Sequence, residues 1–378
     1  MNSEYRIENV IKGRFFEDIL EITEDDIDWG RLAGKCVLIT GAAGFIAYHL
    51  VIAMLLWNDI NAYTDGENDM NSQNGSSIRV VGMVRSLERA KAKYGALTGR
   101  EDFILVEQDV CDTFNIEGRV DYVIHAASQA SAWHFENDPV GTIKANLVGT
   151  TNALEFARRQ DDELSNKTTT LIVSSLKTYG NVTDGSHELL EETQGYMDID
   201  SYKNCYAMGK RASETLAASY AKQYGMNIKI VRPSYIYGAA SLDDDRVWAQ
   251  FIANVVRGEN ILLKSAGAPY RSFCYVTDTA RAIFRVLLEG EEMQPYNISS
   301  KLGNVTIRDF ARKAVEAFPE KELSLSFANP EDRAEPVVDY TKQTPEIMNS
   351  DRLEGLGWNA KVDITEGIKR AVAILTEK

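Results

Sequence analysis

Short apolar runs, each closed by small or turn-forming residues and followed by a longer amphipathic stretch, recur through the first 240 or so positions of this 378-residue chain. Lys35–Thr40, Ile78–Val84, Phe103–Glu107, Tyr122–His125, Thr170–Val173 and Asn227–Arg232 read as buried strands. Between them, Tyr48–Trp57 and Pro139–Arg159 read as helices, as does the segment after Cys205, whose apolar face is Ala207, Met208, Ala212, Leu216, Ala217 and Tyr220. Strands alternating with helices of this length predict an α/β fold with a doubly wound parallel sheet, which takes ligands at the carboxyl ends of its strands. Residues 1–32 carry Ile7, Val10, Ile11, Phe15, Phe16, Ile19 and Leu20 among charged positions, and read as an N-terminal extension with a short helix and a linker. Asn58–Ser77 is polar and reads as an insertion loop. After Gly238 the pattern loosens, so 33–238 is expected to form the nucleotide-binding domain and 239–378 a smaller α/β lobe over the strand ends.

Composition adds exclusions. A formal net charge of −15 argues against nucleic acid and anionic membrane as partners. Cys36, Cys111, Cys205 and Cys274 are scattered, so no metal site and no disulfide framework is expected. The acidic N-terminal stretch does not resemble a signal peptide, and no apolar run approaches the ~18 residues that cross a bilayer. A cytoplasmic setting is expected.

The first strand feeds Gly41-Ala42-Ala43-Gly44-Phe45-Ile46-Ala47 and then a helix, which is the context of a dinucleotide fingerprint. Gly41 permits the tight turn, and Gly44 lets backbone amides approach a pyrophosphate. Ala43, Phe45 and Ile46 belong to the same cradle. The second strand ends in Arg85 where an NAD site usually has an acid. A cation there suits a 2′-phosphate, so NAD and NADP both stay open. Asp109 and Val110 end the third strand near the adenine, and Ala126, Ala127 and Ser128 end the fourth with small side chains. His125 reads as structural.

Tyr206 and Lys210 are four residues apart, hence one turn apart on a helix face. An ammonium there lowers the phenol's pKa and readies it for proton transfer. Ser175, beyond the fifth strand, completes a trio. The Tyr–Lys spacing alone arises by chance in many helices; the glycine turn upstream gives it weight.

In order along the chain, TGAAGFIA, HAAS, DPVGTIKANLVGTTNALEFA, SS-x-x-x-YG, CYAMGKR, RPSYIYG, RSFCYVTD and YNI resemble the extended short-chain dehydrogenase/reductases, the NAD-dependent epimerase/dehydratase family of nucleotide-sugar enzymes. The likeness spans nearly all of 33–376, and DPVGTIKAN, CYAMGKR, DDDRV and RSFCYV are closest to UDP-glucuronate decarboxylases. It implies a Rossmann-like fold and tightly held NAD or NADP. It also implies a nucleoside-diphosphate-sugar substrate oxidised at C4, and a homodimer paired through the helices of 139–159 and 204–224. Tyr206, Lys210 and Ser175 would then be catalytic. Pro233 would face the cofactor, Ser128, Asn146 and Asn297 the substrate, and Arg246 and Arg271 the diphosphate. Two departures matter. Lys177 stands where decarboxylases and dehydratases carry Glu, and could act as a base, grip a carboxylate, or point away. Tyr235 replaces a usual Asn. Epimerisation or another rearrangement after C4 oxidation is the leading reading, with uronate decarboxylation and net 4-keto reduction as alternatives.

Overall fold

β-Branched and aliphatic runs with both faces apolar need cover on both sides, and the chain supplies it. The computed structural model describes residues 3–64, 77–164, 167–183, 186–333 and 346–377. Strands β1 (Cys36–Thr40), β2 (Arg79–Val84), β3 (Phe103–Glu107), β4 (Tyr122–His125), β5 (Thr169–Val173) and β6 (Asn227–Pro233) pair in parallel, in the order β3-β2-β1-β4-β5-β6. Then come β7 (Tyr235–Tyr237), β8 (Ile261–Leu263) and β9 (Tyr270–Tyr275). The tenth strand, β10 (Pro295–Ile298), returns to pair with β6 as the seventh member of the main sheet. β11 (Asn304–Thr306) and β7 flank β9 in a small sheet, and β12 (Leu325–Phe327) pairs with β8.

The helices are α1 (Ile7–Val10), α2 (Gly13–Thr23), α3 (Phe45–Thr64), α4 (Leu87–Tyr94), α5 (Ala132–Asn137) and α6 (Pro139–Leu164). They continue with α7 (Cys205–Tyr224), α8 (Val247–Arg257), α9 (Val276–Glu289), α10 (Ile307–Glu316), α11 (Asp351–Glu354) and α12 (Ile364–Thr376). Alternation along β1 and β2 splits the core in two. Val37, Ile39, Val80 and Val84 pack with Leu50, Met54 and Leu55 of α3 and Val286 of α9. Leu38, Val81 and Met83 pack with Ala153 and Leu154 of α6 and Ala217 of α7.

Three expectations change. First, α3 runs on to Thr64, because Asn58 is buried and its amide both donates to Ile78 O and accepts from Ile78 N, each at 2.8 Å. Positions 58–64 of the expected loop are therefore helical, and its residues 65–76 lie outside those described. Second, Phe45–Ala62 is long and apolar enough to cross a membrane, contrary to the reading above; here it is packed among α2, α9 and the sheet. Third, Gly238 is no clean boundary. α9 packs on α3 and β6, and β10 completes the main sheet, so the chain enters the smaller lobe, leaves it and re-enters it.

The N-terminal extension docks firmly. Asp18 on α2 is fully buried, accepting from Arg14 of its own helix, Arg370 of α12 and Tyr275 of β9. At the other end of the sheet, the chain leaves β1 toward β2 and β3, then crosses back beside β1 as β4. The crevice at that reversal, outside the strands' carboxyl ends, is where ligands of such sheets sit.

Candidate active site

Gly41 follows β1 with φ +67°, and a Cβ there would stand 2.9 Å from Ala127 Cα. A Cβ on Gly44 would stand 2.9 Å from Gly41 O. The turn thus needs its glycines on both geometric grounds, and it abuts the small residues that end β4. Thr40 Oγ1 accepts from the amides of Ala126 and Ala127, each at 3.1 Å, so its proton is left for His125 Nδ1 at 2.9 Å. His125 is buried, and burial holds it neutral with a pKa of about 3. It does not change charge near pH 7.

α3 starts at Phe45, directly after this turn, so Ala43, Phe45 and Ile46 lie at a helix N-terminus with its unpaired amides. Lys93 of α4, which the sequence did not point to, donates to Ala43 O at 3.0 Å. Arg85 is exposed just past β2. The Asp109 carboxylate accepts from Cys111 N at 2.8 Å, and Val110 is buried against Gly149 of α6. Pro233 ends β6 beside Ile298 on the same edge. A glycine cradle with small strand ends opposite is the shape a dinucleotide requires, and these residues fit one.

Two strands away, Ser175 leaves β5 at the same edge and hydrogen-bonds Tyr206. Tyr206 is half-buried on α7, its ring stacked on Phe135 of α5 with centroids 4.9 Å apart. Lys210 is buried one turn on; its Nζ donates to Val173 O at 2.7 Å and lies 5.9 Å from the Tyr206 ring centroid. Burial lowers its pKa to about 8. The trio is assembled, but the expected electrostatics differ. Burial raises the Tyr206 pKa above the ordinary phenol value, against the pull of Ser175 and of Lys177, so the charge acting on the phenol comes chiefly from Lys177.

Tyr206, Phe135, Lys177, Leu189, Met197 and Glu346 line a cleft of about 270 Å³. Lys177 Nζ lies 2.5 Å from Glu346 Oε1 and donates to Tyr235 OH at 3.0 Å. Tyr235 donates to Glu346 Oε2 at 2.6 Å, and Arg271 Nε reaches the same oxygen at 2.7 Å. Burial works against charge on Lys177, yet Tyr235 and Glu346 outweigh it and hold the amine above the ordinary lysine value. Lys177 is therefore a fixed cation, which removes it as a neutral base. Glu346 was not foreseen: it meets Lys177 across 169 positions, and nothing local in the sequence marks it.

The remaining candidates scatter. Arg271 faces Glu346, and Arg246 is paired with Asp244 at 2.7 Å while lying 5.2 Å over the Phe45 ring, beside the glycine turn. Asn146 is buried against Gly209 of α7; it accepts from Ser128 at 2.9 Å and donates to Thr142 O at 3.0 Å. It positions α7 and Ser128 from behind the cleft. Asn297 is a correction. It is fully buried, accepts from Tyr179 OH at 2.6 Å and donates to Leu189 O and Asn349 O, so both amide hydrogens are spent and the side chain has no exposed surface to offer a substrate. No cluster of His, Cys, Asp and Glu with metal-binding geometry exists among the described residues.

A model of the NAD dependent epimerase/dehydratase family matches residues 37–299. UDP-glucuronic acid decarboxylases 3 and 6 of Arabidopsis thaliana are 32% and 31% identical over 334 residues, covering 88% of this chain and 86% of each relative. Among solved structures, UDP-glucose 4-epimerase of Thermotoga maritima with UDP-glucose superposes with a TM-score of 0.67 at 21% identity, over 90% of this chain and 98% of that one. UDP-glucuronic acid 4-epimerase from Bacillus cereus with UDP-glucuronic acid and NAD gives 0.68 at 18%, over the same 90% and 98%.

Proposed function

The chain belongs to the NAD-dependent epimerase/dehydratase family, and we propose that its cleft oxidises a nucleoside-diphosphate sugar at C4 and then rearranges it. It is a nucleotide-sugar enzyme that takes NAD(P). The observation that carries the residue roles is the convergence of Ser175, Tyr206 and Lys210 on the same sheet edge as the Gly41 turn, with Tyr206 lining the cleft.

Gly41, Ala43, Gly44, Phe45, Ile46, Ala126, Ala127 and Pro233 would hold the cofactor, which when bound supplies the hydride acceptor and a positive nicotinamide ring. Tyr206 takes the proton from the C4 hydroxyl, and Ser175 holds the oxygen as the carbonyl forms. Lys177 favours the phenolate, while Lys210, held by Val173 O, lies 5.9 Å from the ring centroid. The 4-ketone acidifies the neighbouring carbons, which permits inversion, elimination or loss of a carboxylate. Incubated with a panel of nucleotide sugars, the protein should show absorbance of reduced cofactor or a 4-keto or epimerised product. Tyr206→Phe should lower the rate by about 10²- to 10⁴-fold, as for other general acid–base groups. A wild-type protein that changes none of the sugars, or a Phe variant of equal rate, defeats the reading.

A second reading, decarboxylation of UDP-glucuronate, is favoured by the names of the relatives; carbon dioxide release separates it. The family likeness also supports a homodimer paired through α6 and α7, where Val140, Val148 and Tyr224 are exposed. Light scattering at the eluting peak reads the mass.

A further inference from the structure

Lys177, Tyr235 and Arg271 converge on one point beside Tyr206 and make a seat for a carboxylate. The chain fills that seat itself. We propose that Glu346 is its permanent occupant and sets the cleft's specificity, admitting sugars without a carboxylate and rejecting uronates. The inference rests on reading the cleft as a nucleotide-sugar site.

Three observations support it. Both oxygens of Glu346 are engaged, Oε1 by Lys177 and Oε2 by Tyr235 and Arg271, so the point on which these groups converge is already taken by a carboxylate. Glu346 also lines the cleft with Tyr206, so whatever sugar presents a hydroxyl to Tyr206 meets that carboxylate close by. Finally, its backbone is built in. Glu346 O accepts from Ser272 N at 3.0 Å in a bridge to β9, and Met348 N donates to Ser272 Oγ at 3.0 Å. Leu189 N donates to Ile347 O at 2.7 Å, which ties the next residue to the opposite wall. These bonds fix the backbone from which the Glu346 side chain reaches Lys177, Tyr235 and Arg271.

The chemical consequence follows from occupancy. A second carboxylate brought here must displace Glu346 from Lys177, Tyr235 and Arg271 or lie against it, and one carboxylate beside another is disfavoured. A sugar hydroxyl can donate to Glu346 in a charge-assisted bond. Specificity thus comes from an acid supplied by the tail of the chain, working against the very ligand that the three donors would otherwise attract.

The test compares UDP-glucose with UDP-glucuronate on the NAD-loaded full-length protein by calorimetry, in wild type, Glu346→Ala and Glu346→Gln. Wild type should prefer UDP-glucose by about tenfold or more. Glu346→Ala, which bares Lys177 and Arg271, should raise affinity for UDP-glucuronate at least tenfold over wild type and reverse the preference. Glu346→Gln keeps volume and the Tyr235 contact, so it guards against misfolding, and should move the ratio in the same direction by less. Equal binding of both sugars by wild type overturns the proposal, as does a ratio unmoved in both variants. Should wild type bind neither, the gain of UDP-glucuronate binding in Glu346→Ala still decides. The ratio is independent of chemistry: if Tyr206→Phe leaves turnover unchanged, the C4 reading falls while this one is judged on affinity alone.

Discussion

Tyr206 can accept a proton only as far as its surroundings let it ionise, and the three groups around it pull unequally. Burial favours the phenol; Ser175 and the cation of Lys177 favour the phenolate. Removing Lys177 takes away the favourable charge and leaves Glu346 with one cation fewer, so the phenol's pKa must rise. The alkaline rise of kcat with pH should therefore move to higher pH in Lys177→Met, by about one unit, a shift typical of losing one nearby charge. Lys177→Arg, which keeps the charge, should hold the limb near its wild-type place. A Met variant whose profile overlays the wild type would show that Lys177 does not act on the phenol. What was legible here is what is local. Tyr206 and Lys210 share a turn, and Ser175 ends a strand whose apolar run is plain. Glu346 is set beside Lys177 by a bridge to β9 and by the bonds of Ile347 and Met348 to distant residues, and Phe135 reaches Tyr206 from a helix the residue pattern did not announce.

At the scale of elements, the same hydrophobic pattern that predicted strand, turn and helix understated α3. Its polar end, from Asn58 onward, reads as loop because Asn, Asp and Tyr are weak helix formers. Tertiary contacts override that preference: Asn58 bonds to Ile78, and Asp59 accepts from Ile7 N and Arg100. A helix apolar all round is stable only when covered all round, and α2 is part of that cover. Its Ile19 and Ile22 are buried, and Arg14 and Arg370 close over Asp18. Removing residues 1–24 should therefore expose the outer face of α3 and strand Arg370 and Tyr275 without their acid. The truncated chain should melt at least 10 °C lower than the full chain, or bind a hydrophobic dye when cold; ~2–4 °C per kcal/mol is the expected scale for a domain of this size. Equal melting temperatures and no dye binding would show the extension to be a passenger.

Across the whole molecule, the interleaving of lobe and sheet was hidden because β10 is a four-residue strand with little pattern of its own, identified by its pairing with β6 and not by its sequence. That interleaving makes the two parts one packed body, so charge that appears anywhere in the core is felt by the global fold. Two histidines supply such charge on acidification. His49 is buried on α3, donating from Nδ1 to Phe45 O at 2.8 Å, and burial lowers its pKa to about 4; His125 is lowered to about 3. In the unfolded chain each titrates near 6.5. The folded form therefore binds fewer protons at these two sites between those values, and the stability they contribute must fall as pH falls through the window from about 6.5 toward 3. Glu21 and Glu346 are held below the ordinary carboxylate value, whereas burial raises Asp18, Asp59, Glu191 and Asp278, whose earlier protonation works against the histidines and is common to both proteins compared below. From pH 7 to pH 5 each histidine should cost about 2 kcal/mol, at 1.36 kcal/mol per pKa unit, and the pair about 4. His49→Asn with His125→Asn keeps a polar group near each Nδ1 position but cannot ionise. That variant should be less stable than wild type at pH 7, yet its denaturation midpoint in urea should fall much less steeply on going to pH 5. Parallel decline of both proteins would place the acid sensitivity elsewhere.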